Sequence, residues 1–196
     1  MQTAGSQVRT ATGAGIERVI APIVLAFATD PLLRYFFPEP ATYIDAFTEL
    51  ARSFARTALE HEAGHHVESF VAAALWFPPG VEPDREALGP LFERTIDAKR
   101  LQGVFEVVLE KAKYHPEEPH WYLQMIGVDP HLRGRGYGSA LLSHALERID
   151  EAHEVACLDS SNPANVPLYE RYGFEVVATV EVADAPPVFP MVRRAR

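Results

Sequence analysis

Residues 128–142 read VDPHLRGRGYGSALL, and this stretch decides the fold of the chain. An apolar, strand-like run over residues 120–128 leads into it, and an amphipathic, helix-like run over residues 138–149 leads out of it. Between the two runs stand three glycines at alternate positions and two arginines, which are Gly134, Gly136, Gly138, Arg133 and Arg135. Glycine lets the backbone approach a ligand closely, and a helix start directs free N–H groups and the positive end of its dipole at one point. The loop is therefore suited to a phosphate or pyrophosphate group, to which the arginines add forked donors.

Two common phosphate-binding loops do not fit this pattern. A P-loop needs a lysine followed by serine or threonine after its last glycine, and this stretch has neither. The dinucleotide fingerprint G-x-G-x-x-G, started at Gly134, requires glycine at position 139, where the chain has Ser139. The pattern that remains is R-x-x-G-x-G, from Arg133 to Gly138, between a strand and a helix. Taken alone, it leaves open an ordinary glycine-rich turn.

Length and composition bound the protein class. The 196 residues, with 47% hydrophobic and 23% charged side chains, predict one globular domain over residues 15–196, preceded by a flexible leader over residues 1–14. The net charge of −9 argues against a nucleic-acid partner. The chain has no signal-peptide pattern and no apolar run long enough to span a membrane. Cys157, the single cysteine, excludes an intrachain disulfide and fits a reducing cytosol, so a cytoplasmic location is expected.

Periodicity predicts the order helix, helix, strands, helix, strand, glycine loop, helix, strand, helix, strand, strand. This order indicates an α/β fold with one mixed sheet flanked by helices. We expect Pro22 to kink or restart the first helix, and we expect the helical region over residues 85–113 to break at Gly103. Pro190 is expected to restrict the last strand, residues 188–193, to an edge of the sheet.

The strand over residues 120–128 is predicted to alternate strictly between two faces. One face would carry His120, Tyr122, Gln124, Ile126 and Val128. The opposite face would carry Trp121, Leu123, Met125 and Gly127.

A second motif lies one strand after the glycine loop, where residues 162–174 read NPANVPLYERYGF. The two motifs, in this order, resemble the acyl-CoA pyrophosphate loop and the following asparagine and Leu-Tyr-Glu-Arg segment of the GNAT acetyltransferase superfamily. Shorter runs, among them HWYL at 120–123 and MVRR at 191–194, look like the branch that includes puromycin N-acetyltransferase. That branch often has glutamine where Arg133 stands and glutamate where Asp159 stands, and the shorter Asp159 leaves a base role for this carboxylate in doubt.

The resemblance implies a single, mostly antiparallel mixed sheet and acetyl transfer from acetyl-CoA to an amine by direct attack in a ternary complex. It implies Tyr169 as the general acid, since a phenol is protonated at neutral pH. A core aromatic on an amphipathic helix is the alternative for Tyr169. The resemblance also implies that acetyl-CoA contacts Ile126, Gly127, Val128, Arg133, Gly134, Arg135, Gly136, Tyr137, Gly138, Ser139, Asn162 and Asn165. Either asparagine would equally serve as the cap of a short helix.

Three side chains compete for the proton of the incoming amine. His120 has the most suitable intrinsic pKa and is the first candidate. Asp159 stands at a strand end beside the cofactor segment, and Glu118 lies in a proline-flanked loop. Aromatic candidates for the wall of the acceptor pocket are Phe36, Phe37, Trp76, Trp121 and Tyr122, each with a core position as its alternative.

The sequence predicts no metal site. His61 and His65 have a helical ligand spacing, but Gly64 interrupts the helix between them and the implied chemistry needs no metal. The expected protein is a monomer or homodimer that acetylates a small-molecule amine. An enzyme for peptide or protein amines and a non-catalytic acyl-CoA sensor are the alternatives.

Overall fold

A computed structural model describes residues 7–67 and 69–196. Its centre is one open sheet of seven strands in the order β1-β2-β3-β4-β5-β7-β6. The strands are β1 Val8–Thr10, β2 Gly64–Val67, β3 Ala72–Phe77, β4 His120–Val128, β5 Val155–Ser160, β6 Glu175–Val176 and β7 Phe189–Arg193. β4 and β5 pair in parallel, and the other neighbouring strands pair antiparallel. This mixed, mostly antiparallel sheet confirms the predicted fold class.

Seven α-helices cover the two faces of the sheet in the described residues. They are α1 Ile16–Ala26, α2 Pro31–Phe36, α3 Pro40–Glu60, α4 Arg85–Thr95, α5 Ala98–Ala112, α6 Tyr137–Glu151 and α7 Val166–Arg171. Helices α1 to α5 pack on one face, which we call the α5 face, and α6 and α7 pack on the other, the α6 face. None of the helices in the described part of the chain is both long and apolar enough to cross a membrane.

β3 supplies the centre of the core because each of its six residues is buried. Its odd-numbered residues, such as Leu75, face α1 and α3, and its even-numbered residues, such as Trp76, face α6. Burial of an apolar side chain contributes roughly 1.5–3 kcal/mol. The two faces of this strand therefore hold both helical layers against the sheet.

β4 does not alternate strictly, because it contains a bulge at Gln124. Leu75 of β3 is paired with Met125 and Trp76 with Leu123, so Gln124 has no partner in the register. An extra residue of this kind exchanges the two faces of the strand beyond it. Leu123 and Ile126 consequently both face α6. The expectation that His120 and Tyr122 share a face with Ile126 and Val128 is therefore corrected.

Four further local expectations are corrected. Val8–Thr10 form β1 on β2, so this part of the predicted leader is ordered in the sheet, while residues 1–6 lie outside the described residues. Pro22 does not restart the first helix, because it lies within the single helix α1. The break between α4 and α5 falls at Ile96 and Asp97, where the Asp97 side chain caps α5, and not at Gly103.

Gly103 instead serves packing, since a Cβ there would lie 2.7 Å from the hydroxyl oxygen of Tyr35. Pro190 lies in β7, which is between β5 and β6 and is not an edge strand. Its carbonyl accepts from the Val177 N–H on the β6 side. The missing N–H of Pro190 points to that same side, where β6 has already ended at Val176.

Candidate active site

A cleft opens where β4 and β5 separate. The two strands pair only from His120 with Val155 to Leu123 with Leu158, and β4 then continues to Val128 without β5 beside it. The bulge at Gln124 begins at this point of separation. The cleft has a volume of about 470 Å³. Backbone groups on this side of residues 124–128 are consequently left without a strand partner, and they can pair with an extended ligand.

The glycine loop closes one end of the cleft. Gly134 and Gly136 have φ values of +76° and +85°, a left-handed conformation that side chains rarely adopt. α6 begins directly after Gly136, so its first amides are directed at the cleft. Predicted residues of this region that line the cleft are Ile126, Val128, Arg133, Gly134, Gly136, Tyr137, Gly138 and Ser139. Arg135, which is exposed, does not line it.

Arg133 also connects the loop to another wall of the cleft. Its guanidinium donates a hydrogen bond of 3.1 Å to the carbonyl oxygen of Ala26, at the end of α1. Gly127, predicted as a cofactor contact, is turned toward α1, where its Cβ would lie 2.6 Å from the Cα of Ile23. The absence of a side chain at Gly127 is therefore explained by the close approach of α1 to the strand, and its predicted backbone contact with the cofactor stays a prediction.

Tyr169, on α7, also lines the cleft and is 7% exposed. Within the described residues, its hydroxyl makes no hydrogen bond. Burial, with a further contribution from the negative charge of Asp30, raises the pKa of Tyr169 above its ordinary value. The hydroxyl therefore keeps its proton at neutral pH and is available as a donor to a group in the cleft.

Asp30 and Ser161 form a buried pair on the cleft wall. The Ser161 hydroxyl donates to Oδ2 of Asp30, and the Leu33 N–H donates to Oδ1 at the start of α2. Burial raises the pKa of Asp30, and these hydrogen bonds offset part of the rise. Sequence reasoning missed the pair. The available signal was Asp30-Pro31, a helix-start pattern.

Asp159 also lines the cleft and is the centre of a polar cluster on the α5 face. Its Oδ2 accepts from Lys111 Nζ, from His115 Nε2 at 3.0 Å and from the Tyr122 hydroxyl at 2.8 Å. We call these four residues the Asp159 cluster. The other carboxylate oxygen of Asp159, Oδ1, is buried and has no partner in the described residues.

The Asp159 cluster determines the charge of this carboxylate. Burial by itself would raise the pKa of Asp159, but the Lys111 ammonium and the hydrogen bond from His115 together hold it well below its usual range. Asp159 is therefore ionised, and a carboxylate with so low a pKa is a weak base. Its position suits the attraction of a cation better than the removal of a proton.

The other predicted catalytic residue, His120, is not brought into the cleft. It pairs with Val155 at the far end of the parallel ladder, and its Nδ1 contacts the Glu118 carbonyl oxygen at 2.8 Å. Asn162 and Asn165 both line the cleft, and Asn162 also accepts from the Ala164 N–H as a cap. Both interpretations of Asn162 are thus compatible with its position.

The predicted aromatic wall is corrected because its members lie elsewhere. Trp76 is completely buried on the α6 face, and Phe36 and Phe37 are buried in the core of the α5 face. Trp121 packs on the α6 face, where its indole N–H donates to Glu154. Tyr122 belongs to the Asp159 cluster. The cleft wall instead contains Phe27, Thr29 and Asp30, from the α1–α2 connection.

Comparison with known proteins gives a consistent result. The model of the acetyltransferase (GNAT) family matches residues 105–174, which include β4, the glycine loop, α6, β5 and α7. An N-acetyltransferase of Schizosaccharomyces pombe is 25% identical over 173 residues, covering 81% of this chain and 70% of that protein. The peptidyl-lysine N-acetyltransferase YjaB of Escherichia coli is 26% identical over 132 residues, covering 56% of this chain and 88% of that protein.

Solved structures with the same fold include a histone acetyltransferase HPA2 and related acetyltransferase from Corynebacterium glutamicum. It has a TM-score of 0.72 and 24% identity, with 98% of this chain and 97% of that chain covered. The polyamine N-acetyltransferase of Drosophila melanogaster, which forms N-acetylagmatine, has a TM-score of 0.68 and 18% identity. The comparison covers 96% of this chain and 99% of that one.

Proposed function

We propose that this chain is an N-acetyltransferase of the GNAT family and that it transfers the acetyl group of acetyl-CoA to the primary amine of a small molecule. The observation that carries the proposal is the cleft between the separated ends of β4 and β5. Its wall contains the anion-binding amides of the glycine loop and the side chain of Tyr169, whose hydroxyl is unpaired among the described residues. A donor with a pyrophosphate, an extended arm and a reactive thioester matches these features.

The residues of the cleft take separate tasks in this proposal. Amides of Gly136 to Ser139 bind the pyrophosphate, and the free backbone edge of β4 pairs with the amides of the pantetheine arm. The neutral amine nitrogen attacks the thioester carbon, the C–S bond breaks, and Tyr169 donates its proton to the departing thiolate. The nitrogen then loses its surplus proton, and a proton returns to the Tyr169 phenolate. Positioned proton transfer of this kind typically contributes ~10²–10⁴-fold in rate.

The acceptor side of the cleft favours a cationic amine. Asp159 and Asp30 present buried carboxyl groups there, and Oδ1 of Asp159 has no partner in the described residues. An ammonium group near these oxygens is attracted more strongly than in water, because the local dielectric constant is low, and the Lys111 ammonium on Oδ2 of Asp159 offsets part of that attraction. The amine then loses its proton to water before attack. Small amines are also the substrates named for the polyamine enzyme of the same fold.

A lysine side chain is the second candidate acceptor. A relative of this chain is named a peptidyl-lysine N-acetyltransferase, and a lysine side chain carries the same primary ammonium group as a small amine. The two candidates differ in what surrounds the amine, since a peptide also needs contacts outside the cleft.

The experiment is a release assay for free thiol from acetyl-CoA across a panel, with each product confirmed by mass spectrometry. The panel holds agmatine and polyamines, arylalkylamines, puromycin and lysine-containing peptides. Small-molecule turnover with little peptide turnover is the expected result, and preference for peptides would favour the second candidate. Binding of acetyl-CoA without turnover of any amine would contradict both and indicate a sensor.

Gly136→Asp tests the donor site within the same proposal. The substitution places a negative charge, and a side chain in a left-handed position, where the pyrophosphate is expected. Acetyl-CoA affinity measured by calorimetry should fall at least tenfold. Gly80→Asp is the matched control, because Gly80 has a φ of +79° and lies outside the cleft. Unchanged affinity in a folded Gly136→Asp protein would refute this assignment of the loop.

A further inference from the structure

A cluster of three metal-binding side chains lies beside the cleft, on the α5 face of β4 and β5. His115, His120 and Cys157 bring one ligand atom each to within 4.8 Å of the others. His120 and Cys157 are on adjacent strands, and His115 comes from the segment after α5. We propose that these three residues form a binding site for a thiophilic transition-metal ion such as Zn²⁺. The acetyl-transfer chemistry uses none of the three as a reacting group.

Hydrogen bonds fix the tautomers of both histidines. Asp159 is ionised and can only accept, so the nitrogen of His115 that contacts it carries the hydrogen. The Glu118 carbonyl can also only accept, so Nδ1 of His120 carries the hydrogen. Each imidazole keeps one basic nitrogen. Metal-binding histidines show this same arrangement, in which the second ring N–H donates to a carboxylate or a backbone carbonyl.

The distances are close to those of an occupied site. Zn–N bonds of about 2.0–2.1 Å and a Zn–S bond of about 2.3 Å place tetrahedral ligand atoms roughly 3.3–3.6 Å apart. The three ligand atoms lie within 4.8 Å of one another, so they would need to come about 1 Å closer together to bind the ion. Cys157 is fixed in the buried strand β5, whereas the two histidines are only partly buried and can turn toward it. The fourth ligand would be a water molecule on the partly exposed side.

Cys157 is a free, buried cysteine, and a metal ion binds a cysteine in its thiolate form. On binding, the S–H bond breaks, a metal–sulfur bond forms and the proton leaves to solvent. The carboxylate of Asp159, which contacts His115, compensates part of the added positive charge.

Cobalt(II) is the probe for the site because it reports its ligands by absorption. Titration of the full chain, freed of metal by a chelator and without acetyl-CoA, should produce a thiolate-to-cobalt charge-transfer band. Zn²⁺ should remove the band, and it should raise the thermal unfolding temperature as a ligand of the folded state does. A wild-type protein without this band would overturn the proposal.

Two variants localise the metal. His120→Ala, at the partly exposed start of β4, should weaken cobalt affinity at least tenfold while the circular dichroism spectrum is kept. His61→Ala is the matched control, since His61 is an exposed histidine at the end of α3, and it should bind as the wild type does. Equal affinity of the His120→Ala and wild-type proteins would also overturn the site. Neither variant depends on Cys157→Ala, whose buried substitution can prevent folding.

Discussion

Tyr169 joins two properties that a proton donor to a thiolate needs. Its hydroxyl is directed to the cleft without a partner among the described residues, and its surroundings keep the proton on the oxygen. The ring meanwhile packs against Phe174, with ring centres 6.3 Å apart. The ring and the hydroxyl therefore serve different purposes, and a substitution can separate them.

Tyr169→Phe removes the hydroxyl and keeps the ring. We expect kcat to fall by ~10²–10³-fold, because the thiolate must then leave without its donor, while acetyl-CoA affinity and the unfolding temperature stay near wild type. Steady-state kinetics and calorimetry measure the two effects. Tyr172→Phe is the control, since Tyr172 donates its hydroxyl to the Ser139 carbonyl and does not line the cleft. Wild-type kcat in Tyr169→Phe, with chemistry rate-limiting, would remove Tyr169 from the mechanism.

At the scale of single residues, the sequence predicts the site residues that lie close together along the chain. The glycine loop and Tyr169 belong to short consecutive motifs, so their place in the cleft follows from local pattern. The Asp159 cluster does not, because Lys111 and Asp159 are 48 residues apart and come from different elements. No periodicity in the sequence brings these two side chains together. The placement of Trp76 failed for a related reason, since a period-2 pattern does not say which face of a strand is covered by a helix.

At the scale of elements, the contact between α1 and β4 controls the shape of the cleft. Gly127 lets the backbone of α1 approach the strand, and α1 then leads into Ala26, Phe27 and Asp30 of the cleft wall. The bulge at Gln124 and this close approach are both features of β4. The sequence predicts the existence and bounds of β4, but a bulge leaves no signal in the alternation of so mixed a strand.

Gly127→Ala should destabilise the protein by about 1–3 kcal/mol, which is typical of overpacking. The new Cβ would lie 2.6 Å from the Cα of Ile23 and 3.0 Å from the carbonyl of Pro22, so the helix must move away. Urea denaturation measures the loss. Gly13→Ala is the control, because Gly13 is exposed and a Cβ there meets nothing within 4 Å. This control should change the stability by less than about 0.5 kcal/mol, and a Gly127→Ala protein of unchanged stability would contradict the packing argument.

At the scale of the whole molecule, the last strand is tied to the helices of the α6 face by one side chain. Arg193 of β7 forms two hydrogen bonds with the Asp150 carboxylate of α6, at 2.6 and 2.7 Å, and a third with the Tyr172 carbonyl after α7. Arg193 is almost completely buried. The hydrogen bonds from Arg193 lower the pKa of Asp150.

Asp150→Asn should lower the unfolding free energy by about 1–3 kcal/mol at pH 7, because a buried guanidinium loses its charged partner. A lowered folded pKa gives stability above the unfolded value, near 3.9, that is lost as the pH falls through the folded value. The wild type should therefore lose its advantage below about pH 4. The lowered pKa of Asp159 makes stability fall with decreasing pH in the same way. The raised pKa of Asp30 has the opposite effect on the pH dependence of stability.

Urea denaturation of both proteins between pH 7 and pH 3 measures this convergence. Asp45→Asn, at an exposed position of α3, is the control and should follow the wild type throughout. A difference between Asp150→Asn and wild type that stays constant over the whole range would contradict the assignment to the Arg193 pair.

The single extra residue at Gln124 sets the phase of everything that follows it in β4. Gly127 is the one residue of β4 without a side chain, and it lies where the backbone of α1 at Ile23 leaves no room for a Cβ. Pairing every residue of β4 without the bulge would shift the phase, so that a residue with a side chain would point at the helix backbone and Gly127 at α6. The opening on the ligand side of β4 and the contact between α1 and Gly127 therefore depend on the same bulge. A shift of one along the strand would also shift the other.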